Sequence, residues 1–102
     1  MIVKKNNTLG GFLRELRESK NLMQREVGSV IEVDGAFISK IEHNEKTINR
    51  NHLNKLSIYF NVSEDDLQTF WLADKIRLLV EDEVQIQAVK ALKQVLKEIE
   101  KK

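Results

Sequence analysis

No proline interrupts these 102 residues and only four glycines do, so almost nothing in the chain forbids a helix. Where helices stop, other residues must stop them. Asparagine is the natural candidate, because its short polar side chain tolerates the left-handed conformation that ends a helix. Asn21, Asn44 and Asn61 stand at intervals that cut the first two-thirds of the chain into short pieces. The fold class expected is all-α.

Apolar spacing fills in the pieces. Thr8 can cap a first helix with Leu9, Phe12, Leu13 and Leu16 on one face, closed by Asn21. A second runs from about Gln24 to Ile31. A third starts after Asp34, an N-cap, and buries Ile38 and Ile41 before Asn44. Only Glu32 and Val33 separate these two, so they must cross sharply, with valine plugging the angle. Leu53, Leu56, Ile58, Tyr59 and Phe60 give a fourth helix ending at Asn61. Ser63 with Asp66 three residues later opens a fifth. From Asp74 onward no breaker is evident, and Val89, Leu92, Leu96 and Ile99 follow one another at spacings of three, four and three. That stripe has no partner left in a small domain, so Ile76, Leu79, Val89, Leu92, Leu96 and Ile99 are expected to form a subunit interface. Residues 1–73 are therefore read as the first unit and 74–102 as a C-terminal helical segment for dimerisation.

Several function classes are disfavoured. Cysteine is absent, which removes disulfides and thiolate metal sites. The stretch Met1 to Gly10 has no apolar run resembling a signal peptide, and no run reaches the ~18 residues of a membrane span, so a bacterial cytoplasm is expected and no membrane association. His43 and His52 match no ligand pattern, and neither a phosphate loop nor a nucleophile elbow occurs, so no catalytic residue, metal or cofactor is expected. The acidic run Glu64-Asp65-Asp66 suits a helix N-terminus without being a metal site. Lysines 90, 93, 97, 101 and 102 beside the apolar stripe would suit a membrane-surface helix, but aromatic anchors are missing there. Net charge is only +1, yet it is unevenly spread. Residues 1–60 carry ten basic against seven acidic side chains, and 61–102 carry seven against nine. Any contact with phosphate belongs to the N-terminal part.

The segment Leu22 to Asn44, LMQREVGSVIEVDGAFISKIEHN, resembles without a gap the helix-turn-helix of the Cro/CI-type (XRE) family, whose usual pattern is close to LTQEELAEKLGVSRSYISKIERG. LGGFLRELRESKNL upstream looks like that family's first helix, and FNVSEDDL downstream like its closing segment. The resemblance implies a lambda-repressor-like domain of five short helices with an added dimerisation helix. It further implies a homodimer on double-stranded DNA, with the third helix entering the major groove. On this resemblance Asp34, Gly35, Ala36, Phe37 and Lys40 face the bases. Lys40 is the candidate reader of guanine, and Asp34 acts first as a cap. Gln24, Ser39, Asn44, Thr47, Asn49 and Arg50 are the candidate phosphate contacts. Arg17 and Glu42 correspond to an interhelical salt bridge. The sequence departs from the pattern at Met23, where a capping Ser or Thr is usual, and at Glu32, where glycine is usual. A glutamate forced to positive φ there would be strained by about 1 kcal/mol.

The segment SEDDLQTFWLADKIRLLVEDE looks like a subgroup associated with DNA methyltransferases, and the size is that of controller proteins of restriction-modification systems. The expected role is thus control of restriction-modification genes and of the chain's own promoter, with RNA polymerase a candidate further partner. A phage or mobile-element repressor is the alternative, and an antitoxin-type interaction module another.

Overall fold

The computed structural model describes residues 7–102. These form six α-helices and no strand, in the order α1 (Leu9–Ser19), α2 (Gln24–Val30), α3 (Gly35–Glu42), a 3-10 turn at Arg50–His52, α4 (Leu53–Phe60), α5 (Glu64–Val80) and α6 (Gln85–Glu100). The all-α, lambda-repressor-like expectation holds.

The stops are chemical. Asn21, Asn44 and Asn61 have φ of 55°, 62° and 55°, the left-handed region that releases the chain from each helix. The starts are side-chain caps: the Thr8 hydroxyl accepts from Gly11 N–H at 3.0 Å, Asp34 from Phe37 at 2.8 Å and Ser63 from Asp66 at 3.3 Å.

One core joins α1 through α5. Leu9 and Leu13 meet Val27, Ile31, Ile38 and Ile41, and beneath them lie Ile48, Leu53, Leu56, Phe60 and Leu67. Phe12 stacks on Phe70 with ring centroids 4.8 Å apart, which pins α5 to α1. At the start of α1, the Asp74 carboxylate accepts from Leu9 N–H at 3.1 Å and pairs with Arg77. This carboxylate sits at the positive end of the α1 macrodipole. The expected division at 73/74 thus falls inside a helix whose far half is tied to α1.

Two helices cross closely at Gly10. A Cβ placed there would lie 2.0 Å from the Ile41 backbone oxygen. Gly10→Ala gains about 1 kcal/mol of helix propensity but must push a backbone carbonyl aside, a strain of about 1–3 kcal/mol. The strain wins because no side-chain rotation relieves it. The thermal midpoint is expected to fall by roughly 5–10 °C, measured by circular dichroism.

Two expectations are corrected. The fifth helix is not short: at 17 residues it is the longest of the described helices. The chain beyond Asp74 is not one unbroken helix either, since it turns at residues 81–84. Glu81, Asp82 and Glu83 crowd negative charge at the negative end of α5, and Val84 is extended at φ −61° and ψ 128°. A new helix therefore starts at Gln85. α6 buries none of its residues.

Candidate nucleic-acid interface

The angle between α2 and α3 is set by the turn between them. Val33 N–H donates to the Gly28 carbonyl at 2.9 Å, and a Cβ on Gly28 would lie 2.4 Å from the Val33 oxygen. Only glycine at position 28 lets the turn close this tightly. Glu32 takes φ of 60° and is exposed, so its strain remains while its charge stays in water. Val33 packs against the core. Met23 has no capping oxygen. Instead the Glu26 carboxylate accepts from Met23 N–H at 2.9 Å.

A buried ionic lock fixes α3 from the other side. Arg17 Nε donates to Glu42 Oε2 at 2.7 Å and Nη2 to Oε1 at 3.1 Å, while Nη1 reaches the Leu22 carbonyl at 2.9 Å. The Glu42 side chain is 2 % exposed. The hydrogen bond to Glu42 raises the Arg17 pKa above its ordinary value; burial acts in the opposite direction, and the Glu42 and Glu18 charges add to the rise. Gln24 joins the lock, its amide nitrogen donating to Glu42 Oε1 at 3.1 Å. The Gln24 side chain therefore braces α3 from the first turn of α2, leaving its amide oxygen and its backbone N–H for an outside partner.

With Ile38 and Ile41 buried, α3 presents Ala36 and Lys40 to solvent. Asp34 is also exposed, but its Oδ1 is taken by the cap. Phe37 is half-buried and packs against the core, and Gly35 lies where a Cβ would be 3.2 Å from Arg25 N. The close approach that Gly35 permits here is between α2 and α3. Ser39 is half-buried, with its carbonyl accepting from the His43 N–H.

Beyond α3, Asn44, Thr47, Asn49 and Arg50 are all exposed. Asn49 caps the 3-10 turn by accepting from Asn51 N–H at 2.9 Å. The Arg50 side chain is not loose: Nε and Nη2 both donate to Gln68 Oε1, at 3.0 and 2.8 Å, and the guanidinium lies 4.4 Å from the centre of the Trp71 ring. Gln68, Trp71 and nearby Lys75 belong to α5. No local signal marks these three residues in the sequence, because they meet Arg50 only after α5 folds back across the domain.

The expected interface residues Ile76, Leu79, Val89, Leu92, Leu96 and Ile99 are all exposed, Leu79 to 78 %. Among the described residues no cluster of His, Cys, Asp or Glu is disposed to hold a metal ion, and no helix is long and apolar enough to cross a membrane.

A sharply crossed helix pair with a short second helix, its outer face free and its base locked, is the geometry of a groove-reading unit. A family model described as helix-turn-helix domain matches residues 10–75. The chain belongs to that family. No curated protein and no solved structure matches it significantly. The helix-turn-helix match runs from the first turn of α1 into the middle of α5, so it takes in both the ionic lock and the Arg50 cluster and leaves α6 outside. Membership in a helix-turn-helix family points to DNA as the ligand class of the chain.

Proposed function

We propose that this helix-turn-helix chain is a sequence-specific transcription regulator that binds a pseudo-palindromic operator as a homodimer. The observation that carries the reading is the presentation of α3. Ala36 and Lys40 on it are exposed, while the Gly28–Val33 turn and the Arg17–Glu42–Gln24 lock hold its angle. A helix fixed this way keeps its base-facing side chains in register without reordering on binding.

In this reading Lys40 donates to the O6 and N7 of guanine, and Ala36 touches a thymine methyl or permits close approach. Asp34 caps, and Gly35 and Phe37 set how near α3 comes to the groove. The phosphate contacts come from the Gln24 backbone N–H, Ser39, Asn44, Thr47, Asn49 and Arg50. Residues up to about 73 carry the DNA contact and those from about 74 the self-association, joined through the continuous α5. Two copies place their third helices about 34 Å apart, one helical turn of DNA. The genes controlled are restriction-modification genes and the chain's own promoter, in a bacterial cytoplasm, with RNA polymerase as the partner if the regulator activates. The exposed stripe on α6 also favours a second reading, an antitoxin-type module whose partner covers that stripe.

Selection of bound sites from a random duplex library at near-physiological salt tests the proposal. Two inverted half-sites about one turn apart are expected, and recovery of no motif would overturn it in favour of the partner-dependent module. The recovered sequence lying upstream of restriction genes supports the controller role, and confinement to a lysogeny control region replaces it with a phage repressor. On the selected site, Lys40→Ala is expected to relax preference at one base step at a cost of about 1–3 kcal/mol. Equal loss on all sequences would refute a base-reading role for Lys40.

A further inference from the structure

We propose that Trp71 orders Arg50 and Lys75 as a two-cation seat for the DNA backbone phosphates, extending the interface from the loop after α3 onto α5. The proposal rests on the DNA-binding reading and adds to it a platform and a cation from a helix that carries net negative charge.

The indole is rigidly placed. Its Nε1–H donates to the carbonyl of buried Ile48 at 2.8 Å, and the neighbouring Phe70 is stacked on Phe12. Two cations share this one ring: the Arg50 guanidinium carbon at 4.4 Å from its centre and the Lys75 ammonium at 4.9 Å. Gln68 holds the guanidinium by Nε and Nη2, which leaves Nη1 as the donor edge for another acceptor.

Charge accounting points to an anion. Among the described residues neither Arg50 nor Lys75 forms an ion pair. Of the carboxylates on the same helix, Asp65 and Asp66 form no ion pair with either cation, and the other two are engaged elsewhere. Glu64 accepts from Asn54 and Gln68, and Asp74 accepts from Leu9 N–H and pairs with Arg77. Two cations held against one indole and paired with no carboxylate leave positive charge that the DNA backbone would neutralise. The seat continues the run of exposed polar residues from Asn44 to Arg50, where the backbone would pass if α3 lies in the groove. Trp71 touches no DNA in this arrangement. It is a positioning residue that keeps two flexible cations ordered before binding.

The test is the salt dependence of binding to the selected duplex by Lys75→Ala, Arg50→Ala, Gln68→Ala and Trp71→Leu. Lys75→Ala and Arg50→Ala are each expected to weaken all sequences alike, roughly tenfold, and to lower the slope of log K against log salt by about one. Trp71→Leu and Gln68→Ala should weaken binding in the native background and add little when Arg50 and Lys75 are already alanine. Trp71 also supplies an internal probe, being the sole tryptophan. Its emission should shift on adding duplex to the native chain and not to the Arg50→Ala/Lys75→Ala variant. If Lys75→Ala leaves affinity and slope unchanged while Lys40→Ala still alters base preference, the seat is wrong and the DNA-binding reading stands. If the native chain selects no duplex at all, both fall.

Discussion

Arg17→Met is expected to lower stability by about 3–5 kcal/mol. Glu42 is 2 % exposed and accepts two hydrogen bonds from Arg17 and one from Gln24. Without the guanidinium its carboxylate stays buried with a single neutral donor. The cost is therefore that of an uncompensated buried charge and not the modest net worth of the pair. The partner variant separates these two quantities: Arg17→Met with Glu42→Leu removes both charges and should recover most of the loss. Denaturant midpoints that fall for the single variant and return for the double, at constant m, would establish the mechanism. A double variant no better than the single one would mean that packing of the Arg17 stem, and not charge, holds α1 to α3.

The sign of the pH dependence follows from the same pair. The folded Arg17 pKa lies above its unfolded value, chiefly through the hydrogen bond to Glu42. Its stabilisation is complete below the unfolded value and is lost only as pH rises through the folded one. Between about pH 6 and 9 no slope of stability should arise from Arg17, and a titration of midpoint against pH checks this.

The first two-thirds of the fold was legible because each helix there has its own punctuation. Thr8, Asp34 and Ser63 cap, Asn21, Asn44 and Asn61 stop, and both kinds of signal lie within four residues of what they control. The break at residues 81–84 was not, because no single residue there forbids a helix. It comes from three adjacent carboxylates at a helix C-terminus, an effect of sum and position. In the candidate interface the pairing of Arg17 with Glu42 came from family resemblance, whereas Gln24 turning inward to that pair and Phe37 turning toward the core depend on how closely α2 and α3 approach. That approach is set by Gly28 and Gly35, whose role is invisible until the opposing backbone is in place. The Arg50–Trp71–Lys75 cluster is the extreme case, because its members come from a loop and from a helix separated by the whole of α4.

Leu92→Asp with Leu96→Asp is expected to leave α1 to α5 folded and to reduce operator affinity by about 10²- to 10⁴-fold. The two halves of this expectation have separate causes. α6 has no fully buried residue, and Leu92 and Leu96 are both exposed, so charges placed there stay in contact with water in the isolated protomer. Linked half-sites, in contrast, gain their affinity from the effective concentration that self-association provides, and a pair of carboxylates facing their counterparts removes it. Sedimentation should show the native chain as a dimer and the variant as a monomer. Both should bind a duplex carrying one half-site with the same weak affinity, since neither Lys40 nor the loop after α3 has changed. If the variant still sediments as a dimer, the seam lies on α5. Phe70 and Trp71 are then poor candidates, being committed to Phe12 and Ile48, while Leu72, Ile76 and Leu79 share an exposed face at helical spacing. An interface there would tie dimer geometry directly to the Asp74 contact at the start of α1, so half-site spacing would be set by the DNA-binding domain itself and not by an appended helix.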